Sequence, residues 1–223
     1  MPNFRGMKII VTGATGTAGS EVIRQAIADD NITSVTAIVR RPLDIQDPKL
    51  NTIIHKDFLD YTGLDSIFQS HDACIWCLGV SQTQVSKEQY EVITYLYTMK
   101  AAQAMLHANH NMKFVFLSGD GADPEEKSRT IFARIKGRTE KALSSLEFKQ
   151  LYFARPGGIW PVHKNPNMAL MNKLVAPLFP LLSRILPSKV IKSDLLAKAL
   201  LQLAIKGCDK RVLDNEELKA LVP

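Results

Sequence analysis

Three glycines in the run KIIVTGATGTAG, residues 8–19, are spaced to hold a diphosphate. Gly13 permits a tight turn out of an apolar strand, Gly16 lets the backbone come close to a phosphate, and Gly19 lets the following helix pack against that strand. Thr15, Thr17 and Ala18 complete the loop, where free amides and the dipole at a helix start favour an anion. Past the next apolar run, Arg40 and Arg41 stand where an acidic residue would bind ribose hydroxyls. Guanidinium groups are permanently charged and bond bidentately, so they suit a ribose 2′-phosphate that a carboxylate would repel. The cofactor so described is NADP(H) in preference to NAD(H). Asp57, with Phe58 beside it, has two readings: a carboxylate accepting from an adenine amino group, or a cap on the turn before Leu59 and Asp60.

Those residues need a scaffold, and the order of apolar patterns supplies one. Strand-like runs at residues 8–12, 35–39, 52–55, 73–78, 113–118 and 151–155 alternate with helical patterns at 17–28, 64–69, 87–108 and 129–146. In the third helical pattern Tyr90, Ile93, Tyr97, Ala101, Ala104 and Ala108 trace one apolar face. Such alternation implies right-handed crossovers and a doubly wound α/β fold with a parallel sheet, of the Rossmann type. Continuously apolar strands such as residues 114–117 fit a sheet covered on both faces. After Pro156 the pattern changes to Gly, Pro and Asn, followed by a mainly helical tail from about residue 167 to 221. Residues 157–223 are expected to form a small C-terminal helical cap on the substrate side of a single domain spanning 1–223.

Composition sets the outer bounds. With 46% hydrophobic and 22% charged residues the 223-residue chain has an ordinary globular make-up, which excludes a disordered or fibrous protein. Three cysteines make no disulfide framework and point to a reducing, cytoplasmic setting. Cys74 and Cys77 fall within one strand-like run, where a spacing of three sends side chains to opposite faces, so no shared metal is expected. The start of the chain lacks the apolar stretch of a secretory signal. Residues 168–186 are the most lipid-like, but Lys173, Pro177, Pro180 and Arg184 break them, so the expectation is no transmembrane segment and at most a peripheral membrane contact. A net charge of +6 is scattered rather than clustered, and no nucleic-acid module is present.

With the TGATGxxG loop, Arg40-Arg41, Cys77-Leu78-Gly79, Leu117-Ser118 and Arg155-Pro156-Gly157 in that order, the chain resembles the atypical, extended-like short-chain dehydrogenase/reductases. Cys77-Leu78-Gly79, Gly121-Ala122-Asp123 and the stretch from Lys136 to Glu140 are most similar to the Tat-interacting-protein type of NADPH-binding oxidoreductase. The resemblance implies that Leu78 and Gly79 face the cofactor ribose and that Pro156 borders the cofactor. It makes Ser118 the substrate-polarising serine. Lys136 would hold the nicotinamide ribose and lower the pKa of a tyrosine one turn earlier. That tyrosine is absent: the expected Y-x-x-x-K reads Phe132-Ala133-Arg134-Ile135-Lys136, and no other tyrosine precedes a lysine by four.

Reducing a carbonyl requires a proton on the developing alkoxide, which phenylalanine cannot supply. The sequence therefore supports an NADPH-dependent reductase of an unidentified small molecule, with Ser118 and Lys136 as its catalytic residues and a proton drawn from elsewhere. The alternative is a cofactor-binding regulator or sensor that kept the dinucleotide site and lost turnover. A nucleotide-sugar epimerase or dehydratase ranks third, because those reactions also rely on the tyrosine.

Overall fold

The computed structural model describes residues 6–163 and 187–222. Seven strands form one parallel sheet in the order β3-β2-β1-β4-β5-β6-β9. These are β1 (Met7–Thr12), β2 (Ile32–Val39), β3 (Leu50–Ile54), β4 (Ala73–Trp76), β5 (Lys113–Leu117), β6 (Leu151–Ala154) and β9 (Val212–Leu213). Strand order reverses between β1 and β4, which opens a crevice at their carboxyl ends.

Alternation along each strand fills two cores. Ile9, Val11, Val35, Ala37, Ile75 and Val115 face one side, while Ile10, Ile38, Cys74, Trp76, Phe114 and Phe116 face the other. The first side is covered by α1 (Thr17–Ala28) and α6 (Ser193–Ile205), and α7 (Asn215–Ala220) packs on α6. The second side is covered chiefly by α4 (Tyr97–Ala108) and α5 (Ile131–Ser144), with α2 (Asp65–Gln69) against α4. Cys74 belongs to one core and Cys77 packs against the other, so their side chains diverge as the spacing predicts.

Two expectations change. The helix expected over 87–108 is α3 (Lys87–Glu91) and α4 joined by a π-helical turn at Val92–Leu96. The wider turn shifts the buried face onto Tyr90, Thr94, Thr98, Ala101 and Met105. The Thr98 hydroxyl donates to the Thr94 carbonyl at 2.7 Å, which satisfies a polar side chain that periodicity alone would place at the surface.

In the described part of the C-terminal stretch the expected helices, α6 and α7, are accompanied by short strands that the sequence did not disclose. These are β7 (Gly158–Trp160), β8 (Val190–Lys192), which pairs with β7, and β9. The described part is built into the sheet and its covering layer: α6 buries Leu196, Leu200 and Leu203 against α1 and the sheet instead of lying over the strand ends. Short strands without alternation leave little trace in a sequence, which is why all three were missed. The lipid-like segment, residues 168–186, lies outside the described residues.

Candidate functional site

The glycine loop sits on the crevice. Gly13 has φ of +65°, and a Cβ there would lie 2.3 Å from the Cys77 carbonyl oxygen. A Cβ on Gly19 would lie 2.2 Å from the Gly13 carbonyl oxygen, so helix and turn touch backbone to backbone. Gly16 differs, because its Cβ would meet only the Gly13 oxygen, at 3.2 Å. Helix α1 has no side-chain cap and no acid in its first turn. Its first amides, at Thr17, Ala18 and Gly19, thus keep the unsatisfied donors of a helix start. Gly16→Val should therefore weaken NADPH at least about tenfold in calorimetry, the worth of roughly one charge-assisted hydrogen bond. The melting temperature without ligand should change by only about 2–4 °C; a larger fall would make Gly16 a folding glycine.

Two clefts meet at Phe58 and Leu78. One, of about 410 Å³, is lined by Gly13, Ala14, Thr15, Ile38, Val39, Arg40, Arg41, Pro42 and Asp44 besides those two. The other, of about 520 Å³, runs from Arg40 past Gly79 and Val80 to Val92, Ile93 and Tyr97 on the π-turn helix. Phe58 is buried, with its ring centroid 5.6 Å from that of Tyr97. The Leu78 amide donates to the Thr12 hydroxyl at 3.2 Å, which ties the end of β4 to β1 across the switch point. Asp57 lines neither of these two clefts; its Oδ1 accepts the Leu59 amide at 2.9 Å, so the structure shows the turn-capping reading.

Beyond β4 the strand ends carry a second constellation. Ser118, 6% exposed, donates its hydroxyl to Glu140 Oε1 at 2.5 Å. With that proton committed, the hydroxyl cannot also donate to a carbonyl. Lys136, 7% exposed, donates to the Leu117 carbonyl at 2.7 Å and lies 4.5 Å from the centre of the Phe116 ring. Burial pulls its pKa down to about 8, against the opposing charge of Glu140 and the proximity of Cys77. This is no solvated surface lysine. Burial also pushes the Cys77 thiol up to about 12, which keeps it protonated and unreactive.

The half-buried Phe132 rests its Cζ edge on Gly119, where a Cβ would come within 2.4 Å of Cζ. Pro156, at the end of β6, accepts the Asp120 amide at 2.8 Å, which closes the β5 and β6 ends together. Thus the structure gathers Gly13, Thr15, Arg40, Arg41, Phe58, Leu78 and Gly79 around the clefts, and Ser118, Lys136 and Pro156 around the neighbouring strand ends. Sequence reasoning missed Glu140 as the partner of Ser118, and Arg155 as the partner of Glu140. The signal was present: Ala133, Lys136, Gly137, Glu140 and Leu143 recur at helical spacing, placing a lysine and a glutamate on a buried stripe.

Fold, glycine turn and strand-end crevice define a Rossmann-type dinucleotide-binding protein. The family model described as NAD(P)H-binding matches residues 13–151, and the chain belongs to that family. It is 27% identical over 157 residues to protein HTATIP2 of Rattus norvegicus, covering 69% of this chain and 63% of that protein. This chain thus spans less than two thirds of that relative. It is 29% identical over 170 residues to protein fmp52-2, mitochondrial, of Neosartorya fischeri, covering 75% and 73%. Among solved structures, the enzyme WbmF of Bordetella bronchiseptica in complex with NAD+ aligns with a TM-score of 0.69 at 13% identity, over 96% of this chain and 77% of that one. The likeness to WbmF is one of fold. The resemblance to atypical short-chain dehydrogenase/reductases with Tat-interacting-protein-type relatives holds. A nicotinamide dinucleotide is the ligand class of the family, and the glycine cradle with its uncapped helix start fits it. Among the described residues no helix is long and apolar enough to cross a membrane, and no group of three His, Cys, Asp or Glu could hold a metal.

Proposed function

We propose that the protein binds NADP(H) and reduces a small carbonyl-type molecule in a site that lacks the usual phenol. The observation that carries this reading is that Arg40 and Arg41 line the same cleft as Gly13 and Thr15. A diphosphate on the α1 start would thereby bring a ribose 2′-phosphate to two guanidinium groups. Adenine fits the apolar space between Phe58, Leu78, Gly79 and Ile93. The other half of the dinucleotide would cross the switch point toward Ser118, Lys136 and Pro156. NADPH, when bound, supplies a hydride. The chain itself must supply or relay a proton. With the Ser118 hydroxyl donating to Glu140 and a phenyl ring at Phe132, the Lys136 ammonium or water is left for that role.

NADPH should bind more tightly than NADH in calorimetry, and Arg40→Ala should narrow the difference by about 1.5 kcal/mol, the lower end for a charged hydrogen bond because Arg40 is exposed. Equal affinities in the wild type would overturn the preference for NADP(H).

A second reading, a cofactor-binding regulator, is favoured by one observation: Ser118 and Lys136 are both engaged inside the protein, on Glu140 and the Leu117 carbonyl. Tight NADPH binding without oxidation over a carbonyl panel would select it. The free cysteines, Cys74, Cys77 and Cys208, fit a reducing compartment, for which we keep the cytosol.

A further inference from the structure

One buried carboxylate joins three elements on the far side of the switch point. Glu140, on α5 and 2% exposed, accepts the Ser118 hydroxyl at 2.5 Å and the Arg155 Nε at 2.9 Å through the same Oε1. Its Oε2 accepts Arg155 Nη2. Ser118 follows the last residue of β5, and Arg155 leads from β6 into Pro156. A buried ion pair adds little net stability over an apolar replacement, and its best-attested use is to fix one arrangement among several. Here the arrangement is that of the two strand ends facing the ligand crevice. A hydroxyl has one proton and two lone pairs. With its proton held by Glu140, Ser118 offers a ligand only lone pairs.

We propose that Glu140 is a positioning residue for the nicotinamide half of the site: it fixes Ser118 as a hydrogen-bond acceptor, and through Arg155 keeps Pro156 in register with it. The ligand group that contacts the Ser118 hydroxyl is then a hydrogen-bond donor, an amide N–H or a hydroxyl, and not a bare carbonyl oxygen. The inference rests on the NADP(H) reading, because the carboxamide of nicotinamide is such a donor.

Calorimetric dissociation constants for NADPH and for 2′,5′-ADP, which carries only the adenosine half and its phosphates, test it on the full chain. Glu140→Gln should weaken NADPH about fivefold or more and leave 2′,5′-ADP within about twofold. Ser118→Ala, which leaves the ion pair with Arg155 intact, should show the same selectivity and carries the test if Glu140→Gln does not fold. The double variant should lose no more than the more affected single variant, since one residue acts through the other. A merely structural Glu140 would weaken both ligands together, or multiply with Ser118→Ala, and either result overturns the proposal. If the wild type binds both ligands and neither variant changes their ratio, the positioning role falls while the NADP(H) reading survives. If the wild type binds neither ligand, both fall.

Discussion

Gly137→Ala is expected to destabilise the protein by about 2–3 kcal/mol, although alanine is the better helix former. A Cβ at Gly137 would lie 1.9 Å from the Asp123 carbonyl carbon and 2.4 Å from the Pro124 nitrogen. Both are backbone atoms, which cannot rotate aside as a side chain would. The loop is also pinned: the Asp123 amide donates to the Ala133 carbonyl at 2.9 Å, and its carboxylate accepts the Glu125 amide at 3.0 Å and the Ser128 amide at 2.7 Å. Helix propensity returns about 1 kcal/mol on going from glycine to alanine. Overpacking typically costs about 1–3 kcal/mol and occasionally more, and a clash this close against pinned backbone falls at about 3–4 kcal/mol, which outweighs that gain by about 2–3 kcal/mol. For a chain of this length the melting temperature should fall by roughly 4–12 °C. Gly79→Ala is the control, because nothing lies within 4 Å of a Cβ there, and it should melt within about 2 °C of the wild type. A Gly137→Ala protein as stable as the wild type would show that α5 and this loop do not approach so closely.

That contrast separates what the sequence discloses from what it hides. The loop at Gly13, Gly16 and Gly19 is legible because one local unit, strand, turn and helix start, carries the whole pattern within a few residues. Gly137 is not. Its requirement comes from Asp123 and Pro124, which only the folded chain brings alongside, and a lone glycine in a helix reads simply as a weak position. The six main strands are legible for the same local reason, since each carries a run of apolar and β-branched residues, whereas β7, β8 and β9 are two or three residues long and depend on partners far along the chain.

The candidate site divides in the same way. Arg40 and Arg41 follow directly from their place at the end of β2. Ser118 and Lys136 could be located by resemblance, but their states could not, because these depend on Glu140 and Arg155 converging from α5 and β6. A serine at a strand end reads as a donor to the ligand until the carboxylate that accepts its hydrogen bond is seen.

Phe132→Tyr is expected to raise NADPH oxidation over a panel of ketones and aldehydes by about 10²-fold, the lower end of the 10² to 10⁴ that a positioned proton donor contributes. Phe132 and Lys136 are one turn apart on α5, so a phenol and an ammonium would share a helix face. The ammonium charge would lower the phenol pKa toward neutrality and make it a better acid. Two features of the structure hold the gain at the low end. The Phe132 Cζ, which would carry the hydroxyl, already lies against Gly119, so the ring must slide to seat an oxygen there. Ser118, the second partner of such a phenol, already donates its hydroxyl to Glu140. The Phe132 backbone is held by the hydrogen bond from its amide to Gln82 Oε1 at 3.1 Å, so the adjustment falls on the side-chain torsions. Wild-type protein should reduce the panel poorly. Rapid reduction by the wild type, unchanged in Phe132→Tyr, would mean that a proton donor is already in place and that the phenylalanine is no defect. Binding of NADPH by both proteins with turnover by neither would remove the reductase reading for these carbonyls and favour the regulator.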